Sequence, residues 1–178
     1  MTASFALRRL GGVGMTAAAL AACGCRPRTA EPASAPGAFP SAASAPVAVT
    51  LERTACYGTC PAYTVRLDGA GRVAWHGERF VAAMGDSSTA VSAARVNALA
   101  DEIAAAGFFG FGDSYLPGVP AAEPCSTDSP HAVITVTRAG RTKRVEHDYG
   151  CRGAPAALRT IAARIDSVAG TRRWIGRR

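Results

Sequence analysis

The chain has 178 residues, with 20 Lys and Arg against 13 Asp and Glu, a formal charge of +7. That length holds one ordinary domain with extensions. Without Arg8 and Arg9 the charge is +5, and without Arg172, Arg173, Arg177 and Arg178 as well it is +1. A nearly neutral body with a basic tail argues against a nucleic-acid partner, which needs a basic stripe on the domain itself.

Arg8 and Arg9 form a positive n-region, and residues 10–22 carry no charge. That apolar run is short for a membrane span and fits a signal segment. It ends in Leu20-Ala21-Ala22-Cys23, which resembles the bacterial lipobox. The resemblance implies removal of residues 1–22 and acylation of Cys23, so that the protein meets the membrane through an N-terminal lipid. Ordinary cleavage after Ala19-Leu20-Ala21 would instead release a soluble periplasmic or secreted protein. Gly24 rather than Asp follows the cysteine, which by resemblance to the enteric sorting rule favours the outer membrane, facing the periplasm. Residues 23–46 read as the acylated cysteine and a tether. Of the 23 residues from Gly24 to Pro46, 17 are Ala, Pro, Ser or Gly. Such a stretch cannot bury enough apolar surface to order itself. At about 3.1 Å per residue it can reach roughly 70 Å.

The folded body is expected over residues 47–175, with 176–178 as a basic end. Val47, Val49 and Leu51 alternate with polar or small residues, the period of a half-buried strand. Cys56 and Cys60 follow, with Gly58 between them and Pro61 behind. Gly58 supplies a positive φ and Pro61 extends Cys60, so this stretch reads as a turn that brings two sulfurs together. A structural staple and a redox or metal-binding dithiol both fit. Tyr63, Val65 and Leu67 resume the alternation. Asp68-Gly69-Ala70-Gly71 turns the chain, and Val73 and Trp75 complete a hairpin. Arg79 to Met84 reads as a further strand. Ser92 opens a helix whose Val96, Leu99 and Ile103 share one face and whose end is Gly107. Phe108, Phe109 and Phe111 follow as core material. Leu116 to Pro130 reads as a long loop containing Cys125. Ala132–Thr137 and Thr142–His147 flank Ala139-Gly140 as a second hairpin, with Cys151 just after it. Pro155 stands near the start of a last helix with a Leu158, Ile161, Ile165 and Val168 stripe, closed by Gly170. Trp174 anchors the tail. The order strands, helix, strands, helix predicts an α+β domain: an antiparallel sheet of two hairpin regions with two helices on one face.

Arg53-Thr54-Ala55-Cys56-Tyr57-Gly58-Thr59-Cys60-Pro61-Ala62-Tyr63 resembles the signature of a bacterial family known only as a domain of unknown function. Thr127-Asp128-Ser129-Pro130, Gly140 with Lys143, and Pro155, Leu158, Ile165-Asp166 and Trp174 fit the same family. Gly58, Thr59, Pro61 and Tyr63 are its motif residues beside the cysteines. The family implies no activity, cofactor or catalytic residue. Four body cysteines allow three pairings. Because Cys125 and Cys151 lie outside the family pattern, the resemblance implies that Cys56 pairs with Cys60 and Cys125 with Cys151. A Cys-x-x-x-Cys-Pro segment also resembles the copper site of cytochrome oxidase assembly proteins, for which His76, His131 and His147 are available. Those proteins carry a helix after the motif, where this chain alternates as a strand. Ser126, Thr127 and Ser129 near His131, His147, Asp128, Glu146 and Asp148 invite a nucleophile–base reading, but no G-x-S-x-G elbow, phosphate loop or H-E-x-x-H motif accompanies them. The expected function is a lipid-anchored envelope module that binds an unidentified envelope protein or ligand, or serves structurally, without a cofactor. The alternative is a thiol–disulfide or copper-handling protein using Cys56 and Cys60.

Overall fold

The computed structural model describes residues 46–176, so the expected signal peptide, Cys23 and the tether lie outside the described residues. The described residues form one compact unit. It is an α+β domain built on a single seven-stranded, mostly antiparallel sheet in the order β4-β3-β2-β1-β6-β7-β5. The strands are β1 (Ala48–Arg53), β2 (Ala62–Asp68), β3 (Arg72–Arg79), β4 (Gly85–Ala90), β5 (Ser114–Tyr115), β6 (His131–Arg138) and β7 (Arg141–Asp148). β1 lies at the centre, antiparallel to β2 on one side and to β6 on the other. β2 pairs with β3 and β6 with β7, and β1 joins the two pairs into one continuous sheet. The exception to antiparallel pairing is β5, which runs parallel to β7 at one edge.

Three helices accompany the sheet: α1 (Ala93–Ala105), α2 (Ala157–Ala169) and the short α3 (Arg172–Ile175). The Ser92 hydroxyl accepts a bond from the Arg95 amide at 3.3 Å, which caps α1. Gly170 ends α2 in the left-handed conformation, at φ 67°. One face of the sheet is apolar. Val49, Leu51, Val65, Leu67, Ile134 and Val136 are buried there with Leu99 and Ile103 of α1 and Leu158 and Ile165 of α2. The other face is polar and uncovered along β3, where Arg72, Ala74 and His76 are exposed. Phe108 is buried at the foot of α1, and Phe109 and Phe111 pack edge-on against it. Among the described residues no helix is long and apolar enough to cross a membrane.

One element departs from the sequence expectation, and the tail packs through Trp174 as expected. Arg79 to Met84 is not a strand beyond Arg79. Residues 80–84 form a loop that folds back over the end of β3, and β4 starts at Gly85. The Trp75 indole donates to the Ala83 carbonyl at 3.0 Å. Gly77 permits this close approach, because a Cβ there would stand 2.1 Å from the same carbonyl oxygen. The C-terminal segment is itself ordered. Ala82 and Ala83 donate to the Ile175 and Trp174 carbonyls at 3.2 and 2.9 Å, and Trp174 stacks on Trp75 at 5.1 Å.

Candidate functional site

The turn between β1 and β2 is closed by a Cys56–Cys60 disulfide with Cα atoms 5.6 Å apart. Gly58 takes φ 142°, a value that side-chain-bearing residues rarely adopt. The loop is tied sideways to the entrance of β6. Thr54 N–H donates to the His131 carbonyl at 3.1 Å, and the His131 N–H donates to the Thr54 hydroxyl at 3.0 Å. Tyr57 N–H reaches the Asp128 carbonyl at 3.4 Å. The side chain of Tyr57 stands 91% exposed at the tip. Pro61 is half-buried and leads directly into Tyr63, which is fully buried.

Beneath this loop, Arg53 and Tyr63 are register partners across β1 and β2, so both side chains reach the helical layer. There they converge on Asp166 of α2. Arg53 donates twice to Asp166 Oδ2, from Nε at 3.0 Å and Nη2 at 2.7 Å. Tyr63 donates its hydroxyl to Asp166 Oδ1 at 2.6 Å, and Thr171 donates to the same oxygen at 3.1 Å. Arg53 Nη1 also donates to the Tyr149 hydroxyl at 2.7 Å. Burial and the charge of Asp166 hold the Tyr63 phenol well above its ordinary range, so it remains a donor. Burial alone would lower Arg53, but Asp166, Tyr63 and Tyr149 together outweigh it and hold the guanidinium above its ordinary range. Both carboxylate oxygens of Asp166 are thus engaged from inside the domain. The arrangement locks α2 and α3 onto β1 and β2 and leaves Asp166 poorly suited to act as a base. Its outer side borders an open cleft of about 560 Å³ lined also by Ser167, Thr171, Arg172, Ile175 and Gly176.

A second polar cluster surrounds the other disulfide. Cys125 and Cys151 are bonded with Cα atoms 4.0 Å apart, joining the loop before β6 to the chain after β7. His131 Nε2 lies 2.8 Å from Asp148 Oδ2, whose other oxygen accepts from the Gly150 N–H at 2.6 Å. His147, one residue before Asp148, is 1% exposed, and neither ring nitrogen has a hydrogen-bond partner. Burial, then the Arg159 charge, push its pKa down to about 4 against the opposing pull of Asp148. The ring packs beside Tyr149 at 5.0 Å, and the Arg159 guanidinium covers Tyr149 at 4.7 Å. His76 sits elsewhere, on the uncovered face of the sheet, 2.6 Å from Asp86. The three histidines therefore do not gather around Cys56 and Cys60, whose sulfurs are bonded to each other. Among the described residues no group of three or more His, Cys, Asp or Glu side chains is placed to hold a metal ion. Ser126 bonds the Gly150 carbonyl and Thr127 bonds Asp128, as turn residues do.

The geometry defines a small disulfide-stapled α+β domain with an exposed, rigid turn above an internally satisfied ion pair. The chain matches the model of the family described as Domain of unknown function (DUF6438) over residues 47–169, and it belongs to that family. No curated protein matches it. Arg53, Tyr63 and Asp166 all stood within the sequence resemblance, but their convergence did not. Asp166 follows one position after an apolar stripe residue, and only a contact across more than a hundred residues reveals its partners.

Proposed function

We propose that the protein is a lipid-anchored module of the cell envelope that works by binding or support rather than by catalysis. The observation that carries this reading is the Cys56–Cys60 turn. A disulfide, two main-chain hydrogen bonds and one to the Thr54 hydroxyl hold a loop whose apex, Tyr57, is almost wholly exposed. Rigid presentation of an aromatic side chain lowers the entropy lost on association, which is how recognition surfaces gain affinity. The charged cluster below it is satisfied by its own members, with both oxygens of Asp166 engaged by Arg53, Tyr63 and Thr171. Two disulfides suit an oxidising compartment, and the n-region, apolar run and Leu20-Ala21-Ala22-Cys23 supply export and an anchor. Gly24 directs the lipid to the outer membrane, with the domain on the periplasmic side. β1 starts at Ala48, at the opposite end of the strand from the stapled turn, so the tether enters one end of the sheet and Tyr57 leaves the other.

Mass spectrometry of the mature chain tests the anchor. An N-terminus at Cys23 carrying acyl groups is expected, and an unmodified N-terminus at Ala22 refutes it. Thiol titration of the native protein tests the role of the turn. Resistance of Cys56–Cys60 to mild dithiols supports a staple, whereas rapid reversible reduction, or copper retained by the reduced form, replaces this reading with thiol–disulfide or copper handling.

A further inference from the structure

The sheet ends differently on its two sides. At one edge β5 pairs with only Glu146 and His147 of β7. The rest of that edge reads Arg141-Thr142-Lys143-Arg144, and charged side chains of this kind keep an open strand from pairing with another chain. At the other edge β4 is the last strand, and among the described residues no further strand lies outside it. It pairs with β3 in an unbroken register of six, from Arg72 with Ala90 to Gly77 with Gly85. Its sequence, Gly85-Asp86-Ser87-Ser88-Thr89-Ala90, holds no proline and a single charge. Asp86, Ser88 and Ala90 are exposed on the uncovered face, while Gly85, Ser87 and Thr89 are half-buried on the side of the helices. Such an edge offers a row of main-chain donors and acceptors to an extended chain. The charges beside it are loosely held. Asp86 is 90% exposed next to His76, and Arg72 is 78% exposed and reaches Asp68 only at 3.7 Å.

We propose that β4 pairs with β4 of a second copy of this chain, antiparallel about a two-fold axis through Ser88, joining the two sheets into one. A two-fold that keeps both helical layers on one side brings together residues that face the same way. About Ser88 it sets Ser88 against Ser88 and Ser87 against Thr89, hydroxyl pairs that bond across strands. It sets Asp86 against Ala90 of the second copy, whose own register partner is Arg72. The row therefore runs His76, Asp86, then Ala90 and Arg72 of the second copy. Two strand spacings, about 9.6 Å, separate Asp86 from that arginine, a gap the two side chains close over the methyl of Ala90. Symmetry makes this pair twice, and it is the reason to name a second copy as the occupant. A two-fold about Ser87 would carry Ala90 past the end of the second β4 and leave Arg72 without an acid. On the helical side Arg173 donates to Thr89 at 3.2 Å, in the row that brings in Ser87, a hydroxyl able to accept from it. The contact from Asp86 to Ala90 is short, so it falls below the ~1,200 Å² of a standard interface and the dimer is weak. The axis reverses the strands, so the two Tyr57 turns leave the joined sheet at opposite ends and can engage two ligands at once. The pairing does not depend on the proposed anchor.

The test uses the chain from Gly24 onward, which keeps every described residue and lacks Cys23. Sedimentation equilibrium follows its molar mass from micromolar to sub-millimolar concentration. A monomer–dimer equilibrium with a dissociation constant in the tens of micromolar is expected. Ser88→Glu with Ala90→Glu sets like charges against each other at the axis and against Asp86 on both sides of it, and should weaken the dimer roughly thirty-fold. Asp86→Lys with Ser88→Lys repels itself at the axis and faces Arg72, and should weaken it about tenfold. Mixed in equal amounts, the two variants bring opposite charges together, and native mass spectrometry should find the heterodimer in place of either homodimer. All three positions are exposed, so the core is untouched, and circular dichroism verifies that both variants are folded. A native chain that stays monomeric throughout overturns the inference, whether β4 is bare, is covered by residues 24–45 of its own chain, or accepts only a different extended chain. So does a dimer indifferent to both sets of charges, which pairs elsewhere, or a mixture in which no heterodimer forms.

Discussion

Replacing Asp166 by Asn changes one charge and almost no volume. In the native domain the carboxylate accepts two bonds from Arg53, one from Tyr63 and one from Thr171, and the side chains of the Arg53–Asp166 pair are each 19% exposed. With Asn, Arg53 is left half-buried without a counter-charge. Either Tyr63 and Thr171 or Arg53 then faces an amide that also donates. Removing one member of a buried pair costs about 3–5 kcal/mol. The residual solvent contact lowers that to about 3 kcal/mol. For a domain of this size the loss amounts to a fall in Tm of roughly 10 °C. Thermal and urea unfolding followed by circular dichroism measure it. Tyr63→Phe, which removes a single charge-assisted bond, should cost about 2 kcal/mol by the same assay. Arg53→Met combined with Asp166→Leu should recover part of the loss, because an apolar pair needs no counter-charge. If Asp166→Asn unfolds within about 0.5 kcal/mol of the native protein, the network is not what joins the helices to the sheet, and the reasoning fails.

Cys125→Ser with Cys151→Ser should lower stability by about 3 kcal/mol, given a closed loop spanning 26 residues, while non-reducing peptide mapping still recovers the Cys56–Cys60 link. Cys56→Ser with Cys60→Ser should cost less, and its clearest sign should be faster amide exchange from Thr54 to Cys60. Acid should destabilise the fold through His147. Its folded pKa of about 4 lies below the ordinary 6.5, so between those values the unfolded chain binds a proton that the folded ring refuses. Stability from this group is complete above 6.5 and declines as pH falls toward 4. The urea midpoint of His147→Leu should therefore change less across that interval than the native one, and parallel slopes would remove His147 from the explanation.

Alternation in the sequence located the central strands because their burial is local and periodic. Val49 with Leu51, Val65 with Leu67 and Val73 with Trp75 all face the helices, as the period requires. The fourth strand carried no such signal. Gly85-Asp86-Ser87-Ser88-Thr89-Ala90 is polar throughout and becomes a strand because β3 offers it six register partners. The Val81-Ala82-Ala83-Met84 run looked like a strand because it is apolar, but Gly77 and the Trp75 indole capture it as a loop. At the site, the cysteine turn was visible since all its determinants lie within ten residues. The Arg53–Asp166 pair, the pairing of Thr54 with His131 and the unpartnered His147 depend on distant segments meeting, and no spacing rule announces them.

The placement of β1 has a mechanical consequence. It is the central strand, and its last residue, Arg53, is pinned to α2 through Asp166. Tension applied ahead of Ala48, as the proposed anchor would apply it, runs along the strand axis. Six register partners on β2 and six on β6 then bear it together in shear, instead of opening one after another as they would at a sheet edge. The load passes from Asp166 and Thr171 into α3, at the same end as Phe80 and Met84. A domain pulled from the N-terminal side of β1 would carry force along its stiffest line, with the Cys56–Cys60 turn sitting where that line emerges.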